Sequence, residues 1–91
     1  MERKTAKRWI VRGAVQGVGF RFFVQHKATA LGVNGWARNR DDGTVEVYAS
    51  GSEDRLADLG AALHKGPSQA RVRGVEEQDA PVESFSGFSI R

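Results

Sequence analysis

The chain contains no cysteine. Disulfides, thiolate metal sites, iron–sulfur clusters and thiol nucleophiles are excluded together. Small secreted domains usually depend on disulfides, so the same absence points to a reducing compartment and a cytoplasmic protein. Histidine is nearly absent too. His26 and His64 lie far apart on different predicted helices, short of the three or four ligands that a metal site needs. Neither a metal nor a cofactor is expected. No apolar run approaches the ~20 residues of a membrane span. The charged N-terminus lacks the apolar stretch of a signal peptide. There is no internal repeat, no low-complexity segment and no linker.

What remains is 91 residues, of which 40% are apolar. That suffices for one compact core but not two. The expectation is one domain over residues 1–91, with residues 1–6 as a disordered tail. The net charge of +3 is unevenly placed. Seven basic residues (Arg3, Lys4, Lys7, Arg8, Arg12, Arg21, Lys27) face Glu2 alone within residues 1–27. A basic front end suits an anionic partner, although charge at Arg3 to Arg8 also serves simple solubility.

Hydrophobic periodicity orders the chain. Residues 8–15 read as a strand, with Trp9, Val11 and Gly13 on one face and Arg8, Ile10 and Arg12 on the other. A helix follows from about Arg21 to Leu31, with Val24, Ala28 and Leu31 at helical spacing and Phe20 and Phe23 leading in. Lys27 falls inside the same arc. Gly32 fits the stop position. Residues 34–40 form a second strand, and Asp41-Asp42-Gly43 is a hairpin signal. Residues 44–50 alternate most clearly, Val45, Val47 and Ala49 against Thr44, Glu46 and Tyr48. Ser52 caps a second helix whose stripe is Leu56, Leu59 and Leu63; Gly66-Pro67 ends it. Strands near 70–77 and 85–90 complete the chain. The order predicts an α+β ferredoxin-like two-layer sandwich (βαββαβ). Its antiparallel-rich sheet carries both helices on one face. The first two strands would run parallel with one strand between them. Their C-terminal ends, at Val15 to Arg21 and at Asn39, would then lie about 10 Å apart on one sheet edge.

The first of those segments carries chemistry. Gly13-Ala14-Val15-Gln16-Gly17-Val18-Gly19-Phe20-Arg21 joins a strand to a helix N-terminus, where unpaired N–H groups and the positive dipole end collect. Two glycines let a ligand approach the backbone, and successive N–H groups can form an anion nest. Arg21 adds a planar cationic fork suited to phosphoryl oxygens. These features describe a phosphate or carboxylate site; a tight turn with a surface arginine is the plainer alternative. The segment is neither a Walker loop nor a dinucleotide fingerprint, lacking Gly-Lys-Ser/Thr and the third glycine respectively.

Gly13 to Arg21 resembles the first signature of the acylphosphatases, Gly-x-Val-Gln-Gly-Val-x-Phe-Arg. Gly35-Trp36-Ala37-Arg38-Asn39, followed by Gly43-Thr44-Val45 and Gly51, resembles their second. The ending Phe88-Ser89-Ile90-Arg91 agrees as well, so the similarity spans nearly the whole chain. It implies hydrolysis of acyl phosphates to a carboxylate and inorganic phosphate, with phosphate as product and inhibitor. By the resemblance, Arg21 and the amides of Val15, Gln16, Gly17, Val18, Gly19 and Phe20 hold the phosphoryl group. Asn39 positions the attacking water; its plain alternative is a turn residue beside Asp41-Asp42-Gly43. A monomer is expected.

Three rival functions are a nucleic-acid-binding ferredoxin-like module, a catalytically inactive anion-binding domain, and a module feeding a larger enzyme that handles carbamoyl phosphate. Against nucleic acid stands the third strand, Thr44-Val45-Glu46-Val47-Tyr48, which places Glu46 where an RNA-recognition domain carries aromatic and basic residues. Trp36 and Tyr48 read as ordinary half-buried strand residues, and Asp41 and Asp42 as turn residues rather than a carboxylate pair.

Overall fold

The computed structural model describes residues 3–91. Its elements run β1 (Lys4–Ala14), α1 (Phe20–Leu31), β2 (Asn34–Asn39), β3 (Val45–Ser52), α2 (Glu53–Lys65), β4 (Arg71–Asp79) and β5 (Phe88–Ile90). The sheet order is β4-β1-β3-β2-β5. β3 pairs antiparallel with both β1 and β2, so β1 and β2 run parallel with one strand between them. β4 adds antiparallel to β1, and β5 adds parallel to β2. The ferredoxin-like order inferred from periodicity is the order found, with β5 as the extra short strand.

The two periodicities meet in one core. Trp9 and Val11 of β1, Ala37 of β2, and Val45, Val47 and Ala49 of β3 face Phe20, Val24 and Ala28 of α1 and Leu56, Leu59 and Leu63 of α2. Leu31 and Phe23 pack at its margin, and the Lys27 ammonium stands 5.8 Å from the Phe23 ring centroid. That contact accounts for a lysine inside the apolar arc. α2 starts as its sequence indicates. Ser52 accepts from the Arg55 N–H, Glu53 and Asp54 occupy the first turn, and His64 and Lys65 the last, each sign matching the helix dipole. Gly60 lies where a Cβ would stand 3.3 Å from Trp9 Nε1. That nitrogen donates to Glu77 Oε1 at 2.9 Å. The roughly 1 kcal/mol that glycine costs a helix is thus set against crowding of a fixed indole.

Two expectations need correction. Lys4, Thr5 and Ala6 are not a disordered tail; they pair with Ser52, Gly51 and Ser50 of β3. Ala6 is buried, and its carbonyl accepts from the Ala80 N–H at 3.1 Å. Backbone pairing holds this stretch, and apolar patterning carries no trace of it. Residues 1 and 2 of the expected tail lie outside the described residues. The second correction is Tyr48, which is 2% exposed rather than half-buried. Its hydroxyl donates to the Pro81 carbonyl and accepts from the Glu83 N–H, each at 2.7 Å. Phe85 meets its ring edge-on, and half-buried Trp36 stacks beside it. The connection between β4 and β5 therefore crosses the sheet face opposite the helices. On the same face buried Glu46 accepts from Arg38 Nε at 2.6 Å and forms an ion pair with Arg8, Nε to Oε2 at 3.0 Å. A carboxylate is tolerated at that depth because both its oxygens are partnered.

Candidate active site

The parallel run of β1 and β2 brings their C-terminal ends to one sheet edge, and a cavity of about 200 Å³ opens there. Val15, Gly17, Gly19, Phe20, Arg21, Phe22, Asn39 and Ile90 line it. Six of these are residues that the sequence singles out. Val15 and Phe20 are buried and belong to the core, so they form a rigid floor. Above them the chain turns through Gly17 and Gly19, at φ +74° and +75°. A Cβ at either would meet nothing within 4 Å. Glycine is required here by backbone conformation, not by lack of room.

Gly19 is also the N-cap of α1, and no side chain caps that end. The Phe23 N–H makes the first intrahelical bond, to the Gly19 carbonyl. The preceding amides have no helical acceptor and point from the positive end of the dipole. The first turn carries no acidic residue to pair with Arg21. Arg21 Nη1 donates to the main-chain oxygen of Arg91 at 2.7 Å. The Arg91 N–H in turn donates to the Ala37 carbonyl at 2.8 Å. The guanidinium is thereby tethered to the end of the β2–β5 pair while its other N–H groups stay free of that contact.

Asn39 is exposed at the last position of β2, paired with Val45. The adjacent turn is held by other groups. Asp42 accepts from the Thr44 N–H at 3.0 Å and from the Thr44 hydroxyl at 2.6 Å. These bonds, the hydroxyl first, hold the Asp42 carboxyl below its ordinary pKa. Gly43 N–H closes on the Arg40 carbonyl. Asn39 is in neither contact; it lines the cavity from the end of β2 and borders the exposed hairpin turn as well.

Gln16 and Val18 do not line the cavity. The Gln16 side chain reaches across to the hairpin instead, its Nε2 donating to the carbonyls of Arg40 at 2.8 Å and Thr44 at 3.0 Å. It ties the glycine loop to the turn beside Asn39. Among the described residues no group of three or more His, Cys, Asp or Glu could hold a metal ion, and His26 and His64 are both exposed. Sequence reasoning missed Phe22 and Ile90. Phe22 had left a signal: an aromatic directly after Arg21, off the Phe20–Val24–Ala28 stripe, with no core position to fill.

The acylphosphatase family model matches residues 7–90. The chain belongs to the acylphosphatase family. An acylphosphatase of Solibacter usitatus is 54% identical over 86 residues, covering 94% of this chain and 90% of that relative. One of Koribacter versatilis is 53% identical over 90 residues, covering 98% and 82%. The crystal structure of the acylphosphatase from Bacillus subtilis superposes with a TM-score of 0.92 at 40% identity, covering 96% of this chain and 98% of that one. The chain is an acylphosphatase, a hydrolase acting on acyl phosphates. A nucleic-acid-binding role is not favoured. Among the described residues no helix is long and apolar enough to cross a membrane.

Proposed function

We propose that the acylphosphatase activity is carried by Arg21 and Asn39, with the main-chain amides of residues 15–20 as the phosphate-binding loop. The observation that carries this reading is one cavity lined jointly by the uncapped start of α1, Arg21 and Asn39. In this mechanism the phosphoryl oxygens lie against the loop amides and the Arg21 guanidinium. Asn39 both donates to and accepts from a water molecule and aims it at phosphorus. A new P–O bond forms as the bond from phosphorus to the carboxyl oxygen breaks. The products are a carboxylate and inorganic phosphate. The leaving carboxylate has a conjugate-acid pKa near ~4, so departure needs little help from a general acid. A loose phosphoryl transition state asks mainly for positioning and charge stabilisation, which the amides and the arginine supply. No strong base lines the cavity, and a substrate oxygen takes the proton of the water.

The donor set supports a metal-independent reaction, since the chain has no cysteine and, among the described residues, no His/Asp/Glu cluster adjoins the loop. The same reading makes inorganic phosphate a competitive inhibitor; we further propose a monomeric, one-domain enzyme, cytoplasmic because a small chain without cysteine suits a reducing compartment. Acetyl phosphate hydrolysis with and without EDTA tests it. Turnover should persist in the chelator and be inhibited competitively by phosphate. Loss in EDTA with recovery on adding Mg²⁺ or Zn²⁺ would overturn the metal-independent mechanism.

A further inference from the structure

Two hydrogen-bond ladders stop at one residue. β1 pairs with β3 as far as Val11 opposite Val45, and β2 pairs with β3 as far as Asn39 opposite the same Val45. Past Val11, β1 keeps only its β4 partner. The glycine loop and the Asn39 end of β2 therefore line one cavity with no sheet bond between them. The Gln16 side chain makes the connection. Its Nε2 carries two N–H groups, and both are spent. One goes to the Arg40 carbonyl at 2.8 Å and one to the Thr44 carbonyl at 3.0 Å. Carbonyls only accept, so the amide nitrogen and not its oxygen must face them. Among the described residues no other hydrogen bond joins loop residues 15–19 to hairpin residues 39–45.

Neither carbonyl needs Gln16. The Arg40 carbonyl also accepts from the Gly43 N–H at 3.2 Å, and the Thr44 carbonyl from the Arg40 N–H at 2.9 Å. The turn is closed without the glutamine, and loss of the side chain orphans no hairpin acceptor. What the two bonds fix is distance. Arg40 follows Asn39, and Thr44 precedes its partner Val45, so Gln16 grips both chains of the hairpin just beyond the Asn39 pair. Its own main chain lies between buried Val15 and Gly17, inside the loop assigned to the phosphoryl group. One residue thus belongs to both halves of the site. We infer that the Gln16 side chain is a positioning residue for the hydrolysis: it holds the phosphate-binding loop against the Asn39 hairpin and so sets the separation of phosphorus and attacking water. A misplacement of about 1 Å between reacting groups costs about a hundredfold in rate. The inference rests on the phosphoryl and water assignments proposed above and adds the group that keeps the two in register.

Gln16→Met keeps the loop main chain and nearly the length of the side chain, and removes both donors. The test measures kcat and KM for acetyl phosphate, with the inhibition constant of inorganic phosphate, in wild type, Gln16→Met, Asn39→Ala and the double variant. Gln16→Met should lower kcat about tenfold or more. The phosphate inhibition constant should stay within about twofold of wild type, because the amides and Arg21 remain. In the Asn39→Ala background the same substitution should cost less than about threefold, since the group that it positions is gone. Gln16→Asn, whose amide falls one carbon short of the two carbonyls, should show the same split, and it decides the matter where Gln16→Met does not fold by circular dichroism. A near-normal kcat would overturn the inference. So would phosphate inhibition weakened in step with kcat, because Gln16 would then only be supporting the loop. An undiminished loss in the double variant would overturn it too, by showing an effect independent of Asn39. These three results leave Asn39 in the mechanism. A near-normal kcat in Asn39→Ala overturns the water assignment itself, and the inference with it.

Discussion

Phosphate binding can be weighed against folding. An anion that binds only the folded state at about a hundred times its Kd adds about 2.7 kcal/mol of stability. Unfolding entropy near the midpoint is about 2.1 cal/mol/K per residue, or about 0.19 kcal/mol/K for a 91-residue chain. The melting temperature of wild type should therefore rise by about 14 °C in phosphate at that saturation. Arg21→Ala removes a charge-assisted contact worth about 1.5–3 kcal/mol. At the same phosphate concentration the increment should shrink to between about 2 and about 7 °C. The increment, not the absolute midpoint, is the quantity to read. Arg21 also binds the main-chain oxygen of Arg91, so the variant starts from a lower baseline even without phosphate. Differential scanning calorimetry of both proteins, with chloride at matched ionic strength as the control, gives the two increments. Equal increments would refute the placement of the phosphoryl group at Arg21. Arg21→Lys should recover little, because a point charge cannot reproduce the planar fork.

Three further outcomes follow from the geometry. Asn39→Ala should lower kcat by about a hundredfold or more, the scale of lost orientation, with KM and phosphate inhibition little changed; a variant folded by circular dichroism with near-normal kcat would remove Asn39 from the mechanism. The Asp42 carboxyl should titrate below its ordinary pKa in a carbon-detected NMR titration, and Thr44→Val should move it upward, since the Thr44 hydroxyl is the main cause of the depression. With the folded-state pKa lowered, the stability that this contact contributes is present above the unfolded pKa and is lost as pH falls through the folded one; an unmoved titration in Thr44→Val would refute the assigned cause. Gly35→Ala should cost at least about 3 kcal/mol in urea denaturation, at the severe end of single substitutions, because its Cβ would lie 1.9 Å from the Tyr48 carbonyl oxygen at φ +154°; a near-neutral result would contradict the close β2–β3 approach.

Much of the fold was legible because its signals are local. Val45, Val47 and Ala49 alternate, Leu56, Leu59 and Leu63 recur at helical spacing, and Ser52 precedes two acidic residues. That the glycine loop, Arg21 and Asn39 meet at one sheet edge was legible from topology, which carries two strand ends there; the role expected of Asn39 came from the resemblance to the family. What the sequence hid depends on distant partners. Lys4–Ala6 is ordered by pairing with residues some forty-five positions away, which leaves no apolar pattern. The route of residues 80–87 is set by the Tyr48 hydroxyl, and a lone tyrosine does not announce which carbonyl it will meet. Gln16 looked like a loop member equal to its neighbours, yet its side chain serves the hairpin.

The sheet order leaves β4 and β5 outermost, and this bears on how the chain behaves in a crowded solution. An open strand edge is a template on which another chain can add, the first step toward fibrous aggregates. β5 offers three residues, Phe88–Ile90, too little to seed a ladder. β4 is long enough, but Arg71, Arg73, Glu76, Glu77 and Asp79 are all exposed along it. Glu76 pairs with Arg12, and Asp79 with Lys7, across the β1–β4 register. An incoming strand would have to disturb those pairs or desolvate the charges, and the β1–β4 register also slips between Arg12 and Gly13. One edge is too short and the other too charged and irregular, so the sheet stops at five strands.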